Sequence, residues 1–148
     1  MIKTKKQILL VFIVLLQFCN SNKQNSKFDL LNSMKTEGYK YVLVLPDAGC
    51  LSCIDATEIF VKENKDNFKD FGLVFSGTIS PKSISNRLGS DILTKPYVYF
   101  DSINSFRIDY EMTIYPQIIY LEGDRIIFKE VSPYQTGSLD SLKLVMGF

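Results

Sequence analysis

The sequence has 148 residues, which is the usual length of a single domain. Its composition, 46% hydrophobic and 22% charged, is that of an ordinary globular protein, and 11 Phe and 8 Tyr supply enough apolar area for a core. The sequence contains no His, which excludes Cys-His catalysis and His-ligated zinc within it. The formal net charge of +1 does not indicate a basic surface that would bind nucleic acid, so we expect no nucleic-acid partner.

Residues 1–18 have the organisation of an export signal. Lysines at positions 3, 5 and 6 precede nine consecutive apolar residues, 8–16. As a helix, this segment would span about 14 Å, well short of the roughly 30 Å hydrocarbon core of a bilayer. A basic head followed by a short apolar segment predicts a secretory signal peptide. The alternative is an uncleaved anchor helix at the N-terminus.

The four residues that end at Cys19, LQFC, resemble the lipobox of bacterial lipoproteins, in which the signal is cut before a cysteine that receives lipid. The resemblance implies that Cys19 is the lipid attachment site. Residues 19–27 would then comprise the anchored cysteine and a polar tether, and residues 28–148 the folded domain. Several acyl chains together hold a protein firmly at a membrane. We therefore expect a membrane-anchored lipoprotein of the cell envelope, facing the periplasm or the cell exterior.

Hydrophobic periodicity over the rest of the chain predicts alternating strands and helices. Helices are predicted over residues 28–36, 50–64, 80–88 and 138–145, with a helical turn within 105–112. Strands are predicted over residues 39–45, 71–78, 97–100, 117–121 and 125–131, the last two forming a hairpin. Ser138 is the predicted N-cap of the last helix. The alternation predicts an α/β fold with a central mixed sheet flanked by helices, in which the hairpin adds antiparallel strands at one side.

Cys50 and Cys53 form a C-x-x-C motif that follows a predicted strand and a four-residue turn and opens a helix. At a helix N-terminus, the positive end of the dipole and the unpaired amide groups stabilise a thiolate, which lowers the pKa of a thiol placed there. We expect Cys50 to be the exposed nucleophile and Cys53, one turn into the helix, to be the resolving thiol. The alternatives are a static structural disulfide, half of a metal site and two small buried residues. With no second cysteine pair in the sequence, no metal ion or other cofactor is predicted.

Pro116 directly precedes the predicted hairpin and follows an aromatic residue, Tyr115. An aromatic residue before proline raises the frequency of a cis peptide bond, and a cis-proline at a structured turn usually has a purpose. Its position downstream of the C-x-x-C motif makes Pro116 the second candidate element of the site.

The strand, the C-x-x-C helix, the proline with its hairpin and the last helix together resemble the thioredoxin-like superfamily, over roughly residues 39–148. The long stretch before the proline, with the fragment PYVYFDSINSFRIDYEMTIYPQIIYLEGDRII, is similar to the membrane-anchored, TlpA-like thiol–disulfide oxidoreductases. The resemblance implies a thioredoxin-like fold with a strand–helix insertion between the C-x-x-C helix and a cis-proline. It also implies that Cys50 and Cys53 are the redox pair. Pro116 would pack against this pair, and the backbone of Tyr115 would contact substrate.

Three features differ from the usual pattern of that family. Gly49 stands where a Trp usually precedes the first cysteine, and Val44 stands where a buried acid often assists the second. Leu51 and Ser52 replace the usual dipeptide that ends in proline. These differences leave the direction of electron flow open.

The predicted function is a thiol–disulfide oxidoreductase of the cell envelope that acts on protein thiols and disulfides through Cys50 and Cys53, without a cofactor. One alternative is a non-catalytic binding module on the same fold, with a structural Cys50–Cys53 disulfide. Another is a cuprous-ion carrier that uses both thiolates and Met112, because soft sulfur ligands suit that ion.

Overall fold

The structure, a computed structural model, describes residues 26–108 and 115–147. Its α-helices are α1 (Ser26–Thr36), α2 (Leu51–Asn64), α3 (Pro81–Leu88), α4 (Ser105–Ile108) and α5 (Ser138–Met146), with a 3-10 helix at Ser90–Thr94. Its strands are β1 (Tyr41–Pro46), β2 (Phe71–Ser76), β3 (Val98–Asp101), β4 (Gln117–Glu122) and β5 (Arg125–Glu130). Within these ranges, no helix has the length and apolar character needed to cross a membrane. The predicted signal segment 1–18 and Cys19 lie outside the described residues.

The strands form a mixed sheet in the order β3–β2–β1–β4–β5. Strand β2 runs parallel to both β1 and β3, whereas β4 runs antiparallel to both β1 and β5. The predicted α/β class, with a central mixed sheet and a late antiparallel hairpin, is confirmed. This arrangement is compatible with a thioredoxin-like fold.

The central strand β1 is buried on both faces of the sheet. Because successive side chains of a strand alternate between faces, Leu43 and Leu45 join the core formed with α2, α3 and α5. Val42 and Val44 join the opposite core, formed with α1 and with Phe106 of α4. Each such apolar side chain contributes roughly 1.5–3 kcal/mol when it is fully buried. The two cores therefore fix β1, and with it the turn that leads into α2.

Helix α1 begins at Ser26, so it overlaps the tether predicted over residues 19–27 by two residues. Lys27 is buried, with its ammonium group 5.5 Å from the centroid of the Phe128 ring on β5. The long stem of a lysine can pack against apolar surface in this way. The folded domain therefore includes the first turn of α1.

The start of α5 differs from the prediction that Ser138 is its N-cap. The N-cap is Gly137, in the left-handed region with φ of 80°. The hydroxyl of Ser138 lies 2.9 Å from the carbonyl oxygen of Glu130 and 2.7 Å from that of Gln135, and it donates to these acceptors instead of capping the helix. The hydroxyl thus joins the end of β5 to the start of α5, a tertiary contact that local sequence patterns do not contain.

The expectation of a cis peptide bond before Pro116 is also wrong. Tyr115 and Pro116 are both described, and the described residues contain no cis peptide bond. The carbonyl oxygen of Pro116 accepts a hydrogen bond from the amide of Val131 at 2.8 Å, which closes the hairpin at its open end. Proline lacks a backbone N–H group but keeps its carbonyl oxygen, so Pro116 can accept this hydrogen bond with a trans peptide bond before it. The trans form is the one that X-Pro bonds ordinarily prefer, by about 0.5–1 kcal/mol.

Candidate functional site

The C-x-x-C motif lies where β1 ends and α2 begins. Cys50 is the N-cap of α2, with φ of −67° and ψ of 101°, and Cys53 is in its first turn. The carbonyl oxygen of Cys50 accepts the first hydrogen bonds of the helix, from the amides of Cys53 at 3.1 Å and Ile54 at 2.9 Å. The two sulfur atoms form a disulfide bond, with 5.3 Å between the Cα atoms. The helix start therefore holds the two predicted cysteines at bridging distance.

The two cysteines differ in accessibility. Cys53 is 7% exposed, whereas Cys50 is half-buried. Leu51, between them in sequence, is 75% exposed. The start of α2 is therefore more open to solvent at Cys50 than at Cys53.

The electrostatic surroundings of Cys50 favour a thiolate. The first turn of α2 contains no acidic residue, and the side chain of its N-cap residue, Cys50, does not cap its amide groups. The positive end of the helix dipole is therefore not neutralised by a neighbouring carboxylate in that turn. In addition, the Oγ atom of Ser52 lies 3.4 Å from the Sγ atom of Cys50, so its hydroxyl can donate a hydrogen bond to a thiolate at that position. The sequence reasoning did not single out Ser52; the signal was a hydroxyl residue between the two cysteines.

The turn before Cys50 is held by the carboxylate of Asp47. Its Oδ2 atom accepts hydrogen bonds from the backbone amide of Thr78 at 3.0 Å and from the Thr78 hydroxyl at 3.1 Å. Its Oδ1 atom lies 3.3 Å from Nη1 of Arg107 on α4. The amide of Asp47 also donates to the carbonyl of Ser76 at 2.9 Å. One side chain thus joins the turn to the segment after β2 and to α4.

Glu58, five residues after Cys53, is paired with Arg87 of α3. Val44 packs against Val74 and Phe106 on the face of the sheet opposite to α2. The carboxylates of Asp47 and Glu58 are therefore each paired with an arginine. Neither occupies the position at which a buried acid would assist Cys53.

The far end of α2 is also fixed. The hydroxyl of Tyr97 donates to the carbonyl of Lys65, the C-cap of α2, at 2.6 Å. Burial raises the pKa of the Tyr97 phenol, so this donor keeps its proton at any physiological pH. Helix α2 therefore presents Cys50 from a scaffold that is held at both ends.

Tyr115 and Pro116 lie at the same end of the sheet as the disulfide, because β4 begins beside the carboxyl end of β1. Pro116 is buried, whereas Tyr115 is half-buried and lines a small cavity together with Pro46 of β1. Cys19 lies outside the described residues, so its predicted role remains a prediction.

Metal binding has no further support in the part of the chain that the structure describes. No group of three or more His, Cys, Asp or Glu side chains that could hold an ion occurs there. Met112, the third ligand considered for a cuprous ion, lies outside the described residues.

No protein-family model matches this chain, and neither a curated protein nor a solved structure matches it.

Replacing Gly77 by alanine should destabilise the turn before Cys50. Gly77 has φ of 108°, and a Cβ atom there would collide with the carboxylate of Asp47. Gly38 provides a matched control, because its φ is 93° and a Cβ atom added there would meet nothing within 4 Å. We expect Gly38→Ala to cost about 1–2 kcal/mol for the backbone conformation alone, and Gly77→Ala to cost at least about 1 kcal/mol more. Urea unfolding measures the difference, and equal costs would contradict the described contact with Asp47.

Replacing Ser52 by alanine should reduce the fraction of Cys50 present as thiolate in the reduced protein. A hydrogen bond of about 1 kcal/mol corresponds to about a fivefold change in that fraction at a pH where the thiol is mostly protonated. The ultraviolet absorbance of the thiolate measures it directly. Ser52→Thr retains a hydroxyl and should behave like the unchanged protein. Identical absorbance in the alanine and threonine variants would show that the Ser52 hydroxyl does not act on Cys50.

Proposed function

We propose that this chain is a thiol–disulfide oxidoreductase of the cell envelope that acts on protein disulfides through Cys50 and Cys53. The observation that carries the proposal is the unequal accessibility of two bonded cysteines at the start of a helix whose first turn contains no acidic residue. A redox pair needs one sulfur that a partner can reach and a second that is shielded but close enough to displace it. The fold is compatible with that of the thioredoxin-like superfamily, and we further propose that the chain belongs to its TlpA-like branch, with β3 and the helices before it as the strand–helix insertion.

The reaction begins from the reduced pair. The thiolate of Cys50 attacks one sulfur of a substrate disulfide, a mixed disulfide forms, and the displaced substrate thiolate takes a proton. The thiol of Cys53 then loses its proton and attacks the sulfur of Cys50. The Cys50–Cys53 bond forms and the second substrate thiol is released. Two electrons and two protons pass to the substrate, and the same steps in reverse oxidise a substrate dithiol.

Three features of the chain support the proposed roles of individual residues in this reaction. The uncapped amides of α2 and the Ser52 hydroxyl stabilise the Cys50 thiolate, both when it attacks and when it leaves. Asp47 fixes the turn that carries Cys50. Tyr115 and Pro116, at the same end of the sheet, are proposed to contact the bound polypeptide.

The reduction potential of the pair tests this function. We expect a potential between about −120 and −270 mV, the range of catalytic pairs, when the full chain carrying Cys19→Ser is titrated and its thiols are read by alkylation. The substitution leaves Cys50 and Cys53 as the titrating cysteines. A pair that stays oxidised below about −300 mV would instead identify a structural disulfide, and with it the alternative of a non-catalytic binding module.

A pair of reciprocal variants, both made in the chain that carries Cys19→Ser, assigns the two roles. Cys53→Ser should accumulate a mixed disulfide with a disulfide-containing substrate protein, because Cys50 can attack and nothing resolves the product. Cys50→Ser should accumulate far less, because the remaining thiol, at position 53, is buried. Non-reducing electrophoresis distinguishes them, and equal accumulation would reverse or remove the proposed assignment.

We also propose that the chain is exported and held at a membrane through lipid on Cys19. The support is the sequence alone: a basic head, a nine-residue apolar segment and the lipobox-like LQFC. In this arrangement the domain would stand in an oxidising compartment, where disulfide exchange between proteins takes place.

Metabolic labelling with a fatty acid tests the anchor. The unchanged chain, expressed in a bacterium, should incorporate label and sediment with membranes. Cys19→Ser should lose the label. Cys50→Ser is the matched control, because it removes a thiol elsewhere and should keep the label. Label that persists in the Cys19 variant would contradict the proposed attachment site.

A further inference from the structure

Large apolar side chains are exposed at the end of the domain that carries the disulfide. Leu51, the first residue of α2, is 75% exposed, and Tyr134, in the turn after β5, is 87% exposed. Tyr134 lies at this end because Gln117 of β4 pairs both with Glu130, the last residue of β5, and with Val44 near the carboxyl end of β1.

Helix α1 starts at the same end. Its last turn lies at the opposite end of the sheet, where Lys35 forms an ion pair with Asp124 in the turn between β4 and β5. The 11 residues of α1 cover about 16 Å, close to the length of β1, so Phe28 in its first turn reaches the level at which β1 ends. The large apolar side chains exposed at this end are therefore Phe28, Leu51, Phe100, Ile103 and Tyr134.

The predicted anchor is joined to this end as well. Six polar residues, 20–25, separate Cys19 from the start of α1. Fully extended, the chain from Cys19 to Ser26 spans at most about 25 Å, so a lipid on Cys19 would hold this end of the domain close to the bilayer. A tether of that length still permits either end to face the lipid, and the surface chemistry of the two ends decides between them.

The end with the disulfide suits contact with lipid through apolar side chains. Phe and Leu enter the boundary between headgroups and acyl chains, and Tyr is favoured at the headgroup level. The charged side chains at this end have both signs: Lys82 in α3 is offset by Asp29 in α1 and Asp140 in α5, and Arg107 is paired with Asp47. These charges do not form a basic surface, so the contact needs no anionic lipid.

The opposite end suits lipid less well. The hydroxyl of Tyr41, the first residue of β1, lies 3.5 Å from the carbonyl oxygen of Val145, which places the exposed Leu144 and Val145 of α5 at that end. The same end carries the solvent-exposed ion pairs Lys35–Asp124 and Lys40–Asp70. Removing paired charges from water is costly, so these groups favour an orientation in which this end faces the solvent.

We propose that the end of the domain that carries Cys50 rests on the bilayer that holds Cys19, with Phe28, Leu51 and Tyr134 in contact with lipid. This inference rests on the proposed oxidoreductase function and its anchor, and it specifies where the reaction takes place. Cys50 then reacts preferentially with protein disulfides held at the same membrane surface. The exchange steps are those given above, in which two electrons and two protons pass from the cysteine pair to the substrate disulfide.

Tryptophan fluorescence measures the orientation, because the sequence contains no Trp. In the oxidised full chain Cys19 is the free thiol, so it can be coupled to a maleimide-bearing lipid in phosphatidylcholine vesicles, whether or not a cell attaches lipid there. Leu51→Trp reports on the end with the disulfide, and Leu144→Trp, at a position of similar exposure, is the matched control.

We expect lipids brominated near the headgroup to quench the emission of Leu51→Trp and shift it to the blue. The emission of Leu144→Trp should change little, because the two ends are separated by about the length of β1, roughly 17 Å. Equal quenching at the two positions, or no quenching at position 51, would overturn the proposal and leave the apolar end as a surface for a protein partner.

The consequence for the reaction is measured as a ratio of rates. The vesicle-coupled chain, once reduced, receives one disulfide-containing peptide either coupled to lipid of the same vesicles or free in solution. Replacing both Leu51 and Tyr134 by Gln should lower the ratio of the surface rate to the solution rate about tenfold, the order expected when two apolar side chains cease to favour one orientation. Gln at both Leu144 and Val145 should keep the ratio.

The ratio is the readout because Gln adds no charge beside Cys50, and any direct effect on its reactivity changes both rates alike. A ratio that is unaffected by the changes at Leu51 and Tyr134 would overturn the proposed preference for surface disulfides while leaving the oxidoreductase function in place. If the unchanged chain reduced neither form of the peptide, the proposed function would fail, and the quenching would still decide which end faces the lipid.

Discussion

Strand β1 has a hydrogen-bonded neighbour on each side, parallel β2 and antiparallel β4, and a separate apolar core on each face. A strand held in four directions has little freedom to slide, because a shift of one residue would exchange its side chains between two closely packed cores and break the packing of both. The turn after Pro46 and the N-terminus of α2 take their positions from it. The location of Cys50 is therefore a consequence of burying a short apolar run, and the chemistry proposed for Cys50 depends on that burial.

Asp47 extends this constraint beyond the strand. Its carboxylate accepts hydrogen bonds from Thr78 and pairs with Arg107, so the turn before Cys50, the segment after β2 and helix α4 meet at one side chain. The same Arg107 borders the cavity beside Gln117. The disulfide and the cavity therefore share a mechanical and electrostatic connection, although they lie on opposite sides of β1.

Much of the architecture could be predicted from the sequence, because its signals are local. The apolar run of β1, the Ser80-Pro81 start of α3 and the alternation of strands with helices follow from patterns within a few residues. The placement of Cys50 and Cys53 at a helix start could be predicted for the same reason. The cap of α5 could not, because the hydroxyl of Ser138 is directed to carbonyl groups of the chain that precedes it.

The cavity could not be predicted either, since Gln117, Arg107 and Pro46 come from three distant parts of the sequence. Its one local signal was a polar residue at the start of an otherwise apolar strand, at a position on the same face as Ile119. The isomer of the peptide bond before Pro116 could not be predicted from the sequence either, because an aromatic residue before proline changes only the frequency of the cis form.

The two outer strands of the sheet bear on how copies of this domain meet one another. An open strand edge can pair with the edge of another molecule and extend the sheet, which is a common route to aggregation. Strand β3 is only four residues long and ends at the buried, hydrogen-bonded Asp101. Strand β5 carries Arg125, Lys129 and Glu130 along its length. A short edge on one side and a charged edge on the other disfavour such pairing, so crowding many copies together should leave each sheet at its own five strands.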